Sequence, residues 1–247
     1  MNEMNFPTEI VDLPSKGILY SPDNPLSSGK IEMKYMTAKE EDILTNQNYI
    51  QTGVVLDKLL QSLIVSKINY NDLLIGDKNA IMIAARVLGY GKDYSFSYKG
   101  STQTVDLALL DNKELDESLF TQGKNEFSWI TPSTNVNLTF KLLTHGDENK
   151  IQRELEGLKK IDKHSSKELS TRLKYMITSV NEDRESKTIR EFVDNYFLAK
   201  DSRAFREHIK QFQPDVNLTV YLEDENGSEE VADLPIGISF FWPDASV

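Results

Sequence analysis

The sequence has 247 residues, no cysteine, and a hydrophobic fraction of 39% that includes 11 Phe and 10 Tyr. That is enough to bury a core in one large domain or two ordinary ones, and it excludes disulfides, thiolate metal sites and cysteine nucleophiles. A net charge of −11 sets the chain against phosphate backbones, and no apolar run approaches the roughly 18 residues of a membrane span.

The N-terminal MNEMNFPTEIV has no basic stretch ahead of an apolar one, so no secretory signal is expected. Pro14, Gly17, Pro22 and Pro25 forbid a long helix before residue 30. Ile18, Leu19 and Tyr20 predict a short strand among these breakers. Lys30–Met36 alternates, with Ile31, Met33 and Tyr35 on one face, and predicts the first clear strand. Thr37 and Glu40 follow at the spacing of a capping box, in which each side chain satisfies a free backbone N–H of the first turn. Val55, Leu56, Leu59, Leu60, Leu63 and Ile64 form the apolar stripe of a core-facing helix. Asp77 is placed to cap the next helix, whose Ala80, Ile81, Ala84, Ala85 and Leu88 predict close packing on a neighbour. Gly89 is placed to end it in the left-handed conformation. Asp93–Tyr98 and Thr102–Leu109 alternate on either side of Lys99-Gly100 and predict a β-hairpin.

The order then returns. Phe127–Ile130 and Pro132 precede a strand at Asn135–Leu143, as Ile18–Tyr20 and Pro22 precede the first. Lys141 matches Lys34, and Thr144 with Asp147 matches Thr37 with Glu40. Ile151, Leu155 and Leu158 share a helix face. Ser165 and Glu168 form a capping box ahead of Leu169, Leu173, Met176 and Ile177, the counterpart of the Val55–Ile64 helix. Thr188 and Glu191 are placed to cap a helix with Phe192, Val193, Tyr196 and Phe197. Asp201 opens a segment that lies over the one from Asp77, with Ala204 opposite Ala80 and Phe212 opposite Leu88. Val216–Leu222 turns at Asn226-Gly227 and returns through Val231 toward Leu234, a second hairpin. The expected fold is therefore α+β, with two related strand–helices–β-hairpin lobes from an internal duplication. The lobes are residues 1–110 and 126–247, joined by an acidic linker at 111–125.

The chemistry-bearing residues are scattered. His145, His164 and His208 lie on different predicted elements without metal-ligand spacing, and surface or capping roles are expected for them. No nucleophile elbow, zinc-protease helix or phosphate-binding loop is present. Gly89-Tyr90-Gly91-Lys92 follows a helix and precedes a strand, the reverse of what a phosphate loop needs. Glu40-Glu41-Asp42 sits in a first helical turn, where the helix dipole explains it. No basic stripe interleaved with aromatics suggests nucleic acid. We therefore expect interaction rather than catalysis, with no catalytic residue, cofactor, metal, nucleic acid or membrane involved. From Asp215 onward every charged residue is an acid, while 147–210 carries a slight excess of Lys and Arg. That asymmetry fits solvated faces, or an acidic end that steers a basic partner. The stretch PIGISFFWP, with Ile238, Phe240, Phe241 and Trp242, is too apolar for a free tail. It is either a partner-binding strand or a strap over its own domain.

Taken together, LPSKGILYSP, PLSSGKIEMKYMTAKEEDILT, VLDKLLQSLIV and LLIGDKNAIMIAARVLGYGKDYSF resemble the baseplate hub assembly proteins of T-even-type tailed bacteriophages. The resemblance covers about Leu13–Leu109. Many members of that family carry a Cys-x-x-Cys pair at the hairpin tip, where this chain has Lys99-Gly100-Ser101-Thr102, so its hairpin must hold by pairing alone. The resemblance implies a late viral protein, an assembly factor or chaperone for the central hub of a contractile-tail baseplate. It implies other hub or tape-measure proteins as partners, and the host cytoplasm or the virion baseplate as location. A permanent hub subunit is the alternative.

Overall fold

A computed structural model describes residues 7–161, 167–223 and 229–241. The fold is α+β, built from small antiparallel sheets set among helices. Strands β1 (Thr8–Asp12) and β2 (Lys30–Lys34) pair antiparallel with Ile10 opposite Glu32. The Pro-rich stretch between them is a folded excursion, closed where the Leu13 N–H donates to the Gly29 carbonyl at 2.8 Å. Lys16 and Gly17 both turn through positive φ there, and a Cβ on Gly17 would stand 2.3 Å from the Ser27 carbonyl oxygen. Ile18–Tyr20 is part of these turns and not the expected strand; Leu19 and Tyr20 are apolar because they are buried.

Helices α1 (Ala38–Leu44), α2 (Gln47–Gln51), α3 (Val55–Leu63) and α4 (Ile75–Tyr90) follow. The expected stripe of α3 is core, with Val55, Leu59, Leu60 and Leu63 buried. Two helix-end expectations are corrected. Asp77 lies inside the first turn of α4 rather than before it, and Gly89 stays helical while Gly91, at φ 85°, ends the helix. A Cβ at Gly89 would meet the terminal methyl of Met36 at 2.8 Å, so a larger residue there needs that side chain to move. Strands β3 (Asp93–Tyr98) and β4 (Ser101–Asp106) form the expected hairpin, with Lys99 and Gly100 at positive φ.

In the second half, β5 (Phe127–Ile130), β6 (Asn137–Phe140) and β7 (Ile177–Val180) make a three-stranded sheet in that order. Between β6 and β7 lie α5 (His145–Ile161) and α6 (Glu168–Met176). Strand β7 has no counterpart in the sequence expectation, which carried Ile177 on within the helix. Helix α7 (Ser186–Asn195) begins before Thr188, whose hydroxyl donates to Asp183 at 2.8 Å instead of capping. Helix α8 (Ala199–Lys210) precedes the hairpin of β8 (Thr219–Glu223) and β9 (Glu229–Asp233), and a 3-10 turn at Ile238–Phe241 follows. Ser165, His164 and the Asn226-Gly227 turn lie outside the described residues.

Two pairs of buried acids fasten the two halves internally in matching ways. Glu40 accepts from Lys34 Nζ (2.8 Å), Ser62 Oγ (2.8 Å), the Thr37 N–H (3.1 Å) and Thr37 Oγ1 (2.6 Å). Asp147 accepts from Lys141 Nζ (2.7 Å) and, at 3.2 Å, from the Thr144 N–H and hydroxyl. The second pair holds Pro-Ser turns. Asp77 accepts from the Ser15 N–H (2.9 Å), Ser15 Oγ (2.7 Å) and Tyr20 OH (2.6 Å). Asp201 accepts from the Ser133 N–H (3.1 Å) and Thr134 Oγ1 (3.3 Å). In each half the turn so held follows a strand, β1 before Pro14 and β5 before Pro132.

Residues 111–125 lie along both halves. The Lys113 N–H donates to the Asp215 carbonyl and the Asn217 N–H to that of Asp111, each at 2.8 Å. The Gly123 N–H donates to the Ile18 carbonyl at 2.7 Å, and Asn125 exchanges two hydrogen bonds with the Leu142 backbone. One continuous set of buried apolar side chains includes Leu59 and Ile81 from the first half and Phe140 and Phe205 from the second. At the seam, Gly76 lies so close to residue 214 that a Cβ would stand 1.7 Å from the Pro214 carbonyl oxygen.

Candidate partner-binding surfaces

The C-terminal apolar stretch is a strap over the chain's own fold. Phe240 and Phe241 are fully buried and Ile238 is half-buried. Phe240 sets its ring edge-on to Tyr94, with centroids 4.8 Å apart. Its carbonyl accepts from Nε of Arg86 at 3.0 Å, and the same guanidinium donates to the Gly91 carbonyl at 3.1 Å. Arg86 is itself buried and also meets the Asp93 carbonyl, so the strap supplies the acceptor for the Nε of a buried cation. The partner-binding expectation for Ile238, Phe240 and Phe241 is corrected accordingly, since their apolar surface is spent inside. Trp242 lies outside the described residues.

His145 and His208 are both less exposed than expected. His145 is 5% exposed, with Nδ1 3.3 Å from Lys78 Nζ, Nε2 3.0 Å from Asn149 Nδ2, and Tyr70 edge-on at 4.6 Å. Lys78 reaches Asp57 at 2.6 Å, and Tyr70 OH donates to the same carboxylate at 3.0 Å. Burial pushes the His145 pKa down, the Lys78 charge adds to it, and Asp57 and Glu148 oppose it. The cluster ties α3 and α4 to α5, and the His145 N–H donates to the Leu73 carbonyl at 2.7 Å. It is a latch between the halves with its donors and acceptors turned on one another. His208 packs among Trp129, Phe140 and Phe212, where burial also lowers its pKa. Among the described residues no group of three or more His, Asp or Glu is placed to hold a metal, and no helix is long and apolar enough to cross a membrane.

Two concavities remain. The first is a groove of about 410 Å³ between β1 and α4, walled by Ala80, Ile83, Ala84 and Val87 and closed at one end by Leu107 and Leu110. Among the described residues, strand β1 pairs with β2 on one side only. The Leu13 N–H and Pro7 carbonyl bond toward the β2 side, so by antiparallel alternation the backbone groups of Thr8, Ile10 and Asp12 point away from β2, and Glu9–Asp12 line the groove. In the second half the equivalent space is filled: Trp129 packs on Phe205 and His208. The alanines read from sequence as close-packing residues therefore have two uses. Ala85 faces the core, and Ala84 leaves the groove open.

The second concavity, of about 420 Å³, lies between the halves. Its wall is Leu74 and Ile75 from the start of α4, Leu142 and Leu143 after β6, and Met176 and Ile209. Its rim carries Arg172, Arg206 and Lys210. Neither concavity has a sequence signature, because each depends on segments far apart in the chain.

Compared with known proteins, the chain matches no family model, no curated protein and no solved structure.

Proposed function

We propose that this chain is a non-enzymatic assembly factor that holds hub or tape-measure subunits of a contractile phage tail baseplate in the host cytoplasm until they join. The observation that carries the reading is the groove between β1 and α4. A strand edge without a partner among the described residues, beside a small-residue apolar wall, suits an extended segment of another protein, whose backbone pairs with the edge while alternate side chains enter the wall. The residues that carry the family resemblance support it in a second way. Ser15, Lys34, Thr37, Glu40 and Asp77 are the internal fasteners of the first half, so they fix the seat that the groove occupies. The matched acid fasteners of the two halves support an internal duplication as the origin of the chain.

The test is capture of bound proteins from phage-infected cells, with mass spectrometry of the captured set and of purified baseplates. Capture of hub or tape-measure subunits, with this chain missing from finished baseplates, is the expected result. Its persistence in the particle at fixed copy number makes it a structural subunit and refutes the holding role. Ala84→Trp fills the groove, and should abolish capture while leaving the unfolding midpoint near that of the parent.

A further inference from the structure

We infer that the cleft between the halves is a second binding site, which takes an acidic amphipathic helical segment of a partner protein. The chain carries a net charge of −11, yet the rim of this cleft presents Arg172, Arg206 and Lys210. The two acids of the cleft are already engaged. Glu148 meets Arg172 at 2.5 Å, and Asp215 accepts from Asn79 at 3.0 Å and from the Val216 N–H at 2.9 Å. Arg206 donates to the Ser202 carbonyl at 3.4 Å and, among the described residues, meets no carboxylate at ion-pair distance. Lys210 meets Glu207 at 2.9 Å with both side chains well exposed, and such a pair is held weakly enough to exchange for another carboxylate.

Arg206 and Lys210 stand one turn apart on α8, which sets their side chains about 5–6 Å apart at Cβ. Two acids at the same i, i+4 spacing on a partner helix match that separation. The floor between Leu74, Leu142, Leu143 and Ile209 then receives the partner's apolar face, with room for about one or two large side chains. Arg172 is held by Glu148 and Glu168, so a basic segment meets Arg206 and Lys210 at the rim, and a purely apolar one leaves Arg206 desolvated without a counter-charge. Charge therefore selects the occupant and the apolar floor anchors it.

The experiment titrates the full chain into a labelled, end-capped peptide with leucine at helical i, i+3 and i+4 spacing and glutamate between, read by fluorescence anisotropy. Saturable binding that weakens with added salt is expected. The double variant R206A/K210A should bind roughly tenfold more weakly, with an unchanged unfolding midpoint because both side chains are exposed. Three results overturn the inference: no saturable binding, equal binding of a peptide with glutamine at every glutamate, or unchanged affinity of the double variant. Self-association of the free chain that R206E/K210E abolishes also overturns it, since the occupant is then a second copy. The site stands independently of the baseplate reading, because Ala84→Trp closes the other groove and should leave this titration unaltered.

Discussion

Replacing Glu40 with glutamine tests whether the buried acid fasteners hold the fold as the geometry says. Glu40 is fully buried and receives four donors, one of them the Lys34 ammonium at 2.8 Å. Burial pushes its carboxyl up, but the hydrogen bonds from Lys34, Thr37 and Ser62 outweigh that and bring it from 4.5 to about 2. At roughly 1.4 kcal/mol per unit, the difference amounts to about 3 kcal/mol in favour of the folded state at neutral pH. The geometry leads to a similar figure. A neutral amide loses the charge-assisted bond to Lys34, worth about 1.5–3 kcal/mol, and turns its NH2 toward another donor on one side. Because the folded pKa lies below the unfolded one, the contribution is complete above about pH 4.5 and is lost as the pH falls toward 2. Urea unfolding of parent and Glu40→Gln should therefore differ by about 3 kcal/mol at pH 7, with the gap narrowing through that window. A difference under about 1 kcal/mol, or one that stays constant down to pH 3, refutes the reasoning.

Leu60→Ala in α3 should cost about 2–5 kcal/mol by chemical denaturation, since Leu60 is completely buried. A cost near zero removes α3 from the core. Gly76→Ala drives a methyl into the Pro214 carbonyl and should cost at least about 1–3 kcal/mol; wild-type stability in that variant shows the seam is looser than drawn. Stability should fall as the pH drops through about 6.5, because the unfolded chain takes up protons before His145 does among Lys78, Asp57, Tyr70, Asn149 and Glu148. His145→Gln should reduce that limb, with buried His208 supplying the remainder, and an unaltered profile excludes the latch as a source.

Local pattern carried most of the element order. The capping spacing of Thr37 and Glu40, the α3 stripe and the Lys99-Gly100 hairpin each depend on neighbours within one or two turns, and each is where sequence placed it. The misreadings share a cause in tertiary contact. Ile18–Tyr20 reads as strand because it is apolar, yet its burial comes from turns fastened to Asp77, a residue far along the chain. Asp77 reads as a helix cap because acids favour helix starts; it is instead an acceptor for the distant Pro14-Ser15 turn, as Asp201 is for Ser133 and Thr134. Strand β7 was invisible because Ile177–Val180 continues a helical stripe, and its pairing partner β6 lies some forty residues earlier. The binding surfaces were less legible still. The C-terminal aromatics left a partner-binding strand and a strap both open, because the donor that fixes the strap, Arg86, sits in the other half. The two concavities arise from what small side chains and the seam leave empty, which no single stretch encodes.

The strap at Phe240 also sets a schedule for making the protein. Arg86 and Phe240 are separated by 154 positions, Asn79 and Asp215 by 136, and Lys99 and Glu230 by 131. The first half therefore emerges from the ribosome with the Nε of a buried guanidinium still wanting its acceptor and with the α4 start uncovered. It cannot reach its final packing until nearly the whole chain has been released. At translation rates of about 5–20 residues per second, that leaves a window of roughly ten seconds or more in which an incomplete core is open to solvent. Pairings this distant also place the chain among slow folders. A stop codon shortly before Phe240 should therefore cost the first half as much as the second.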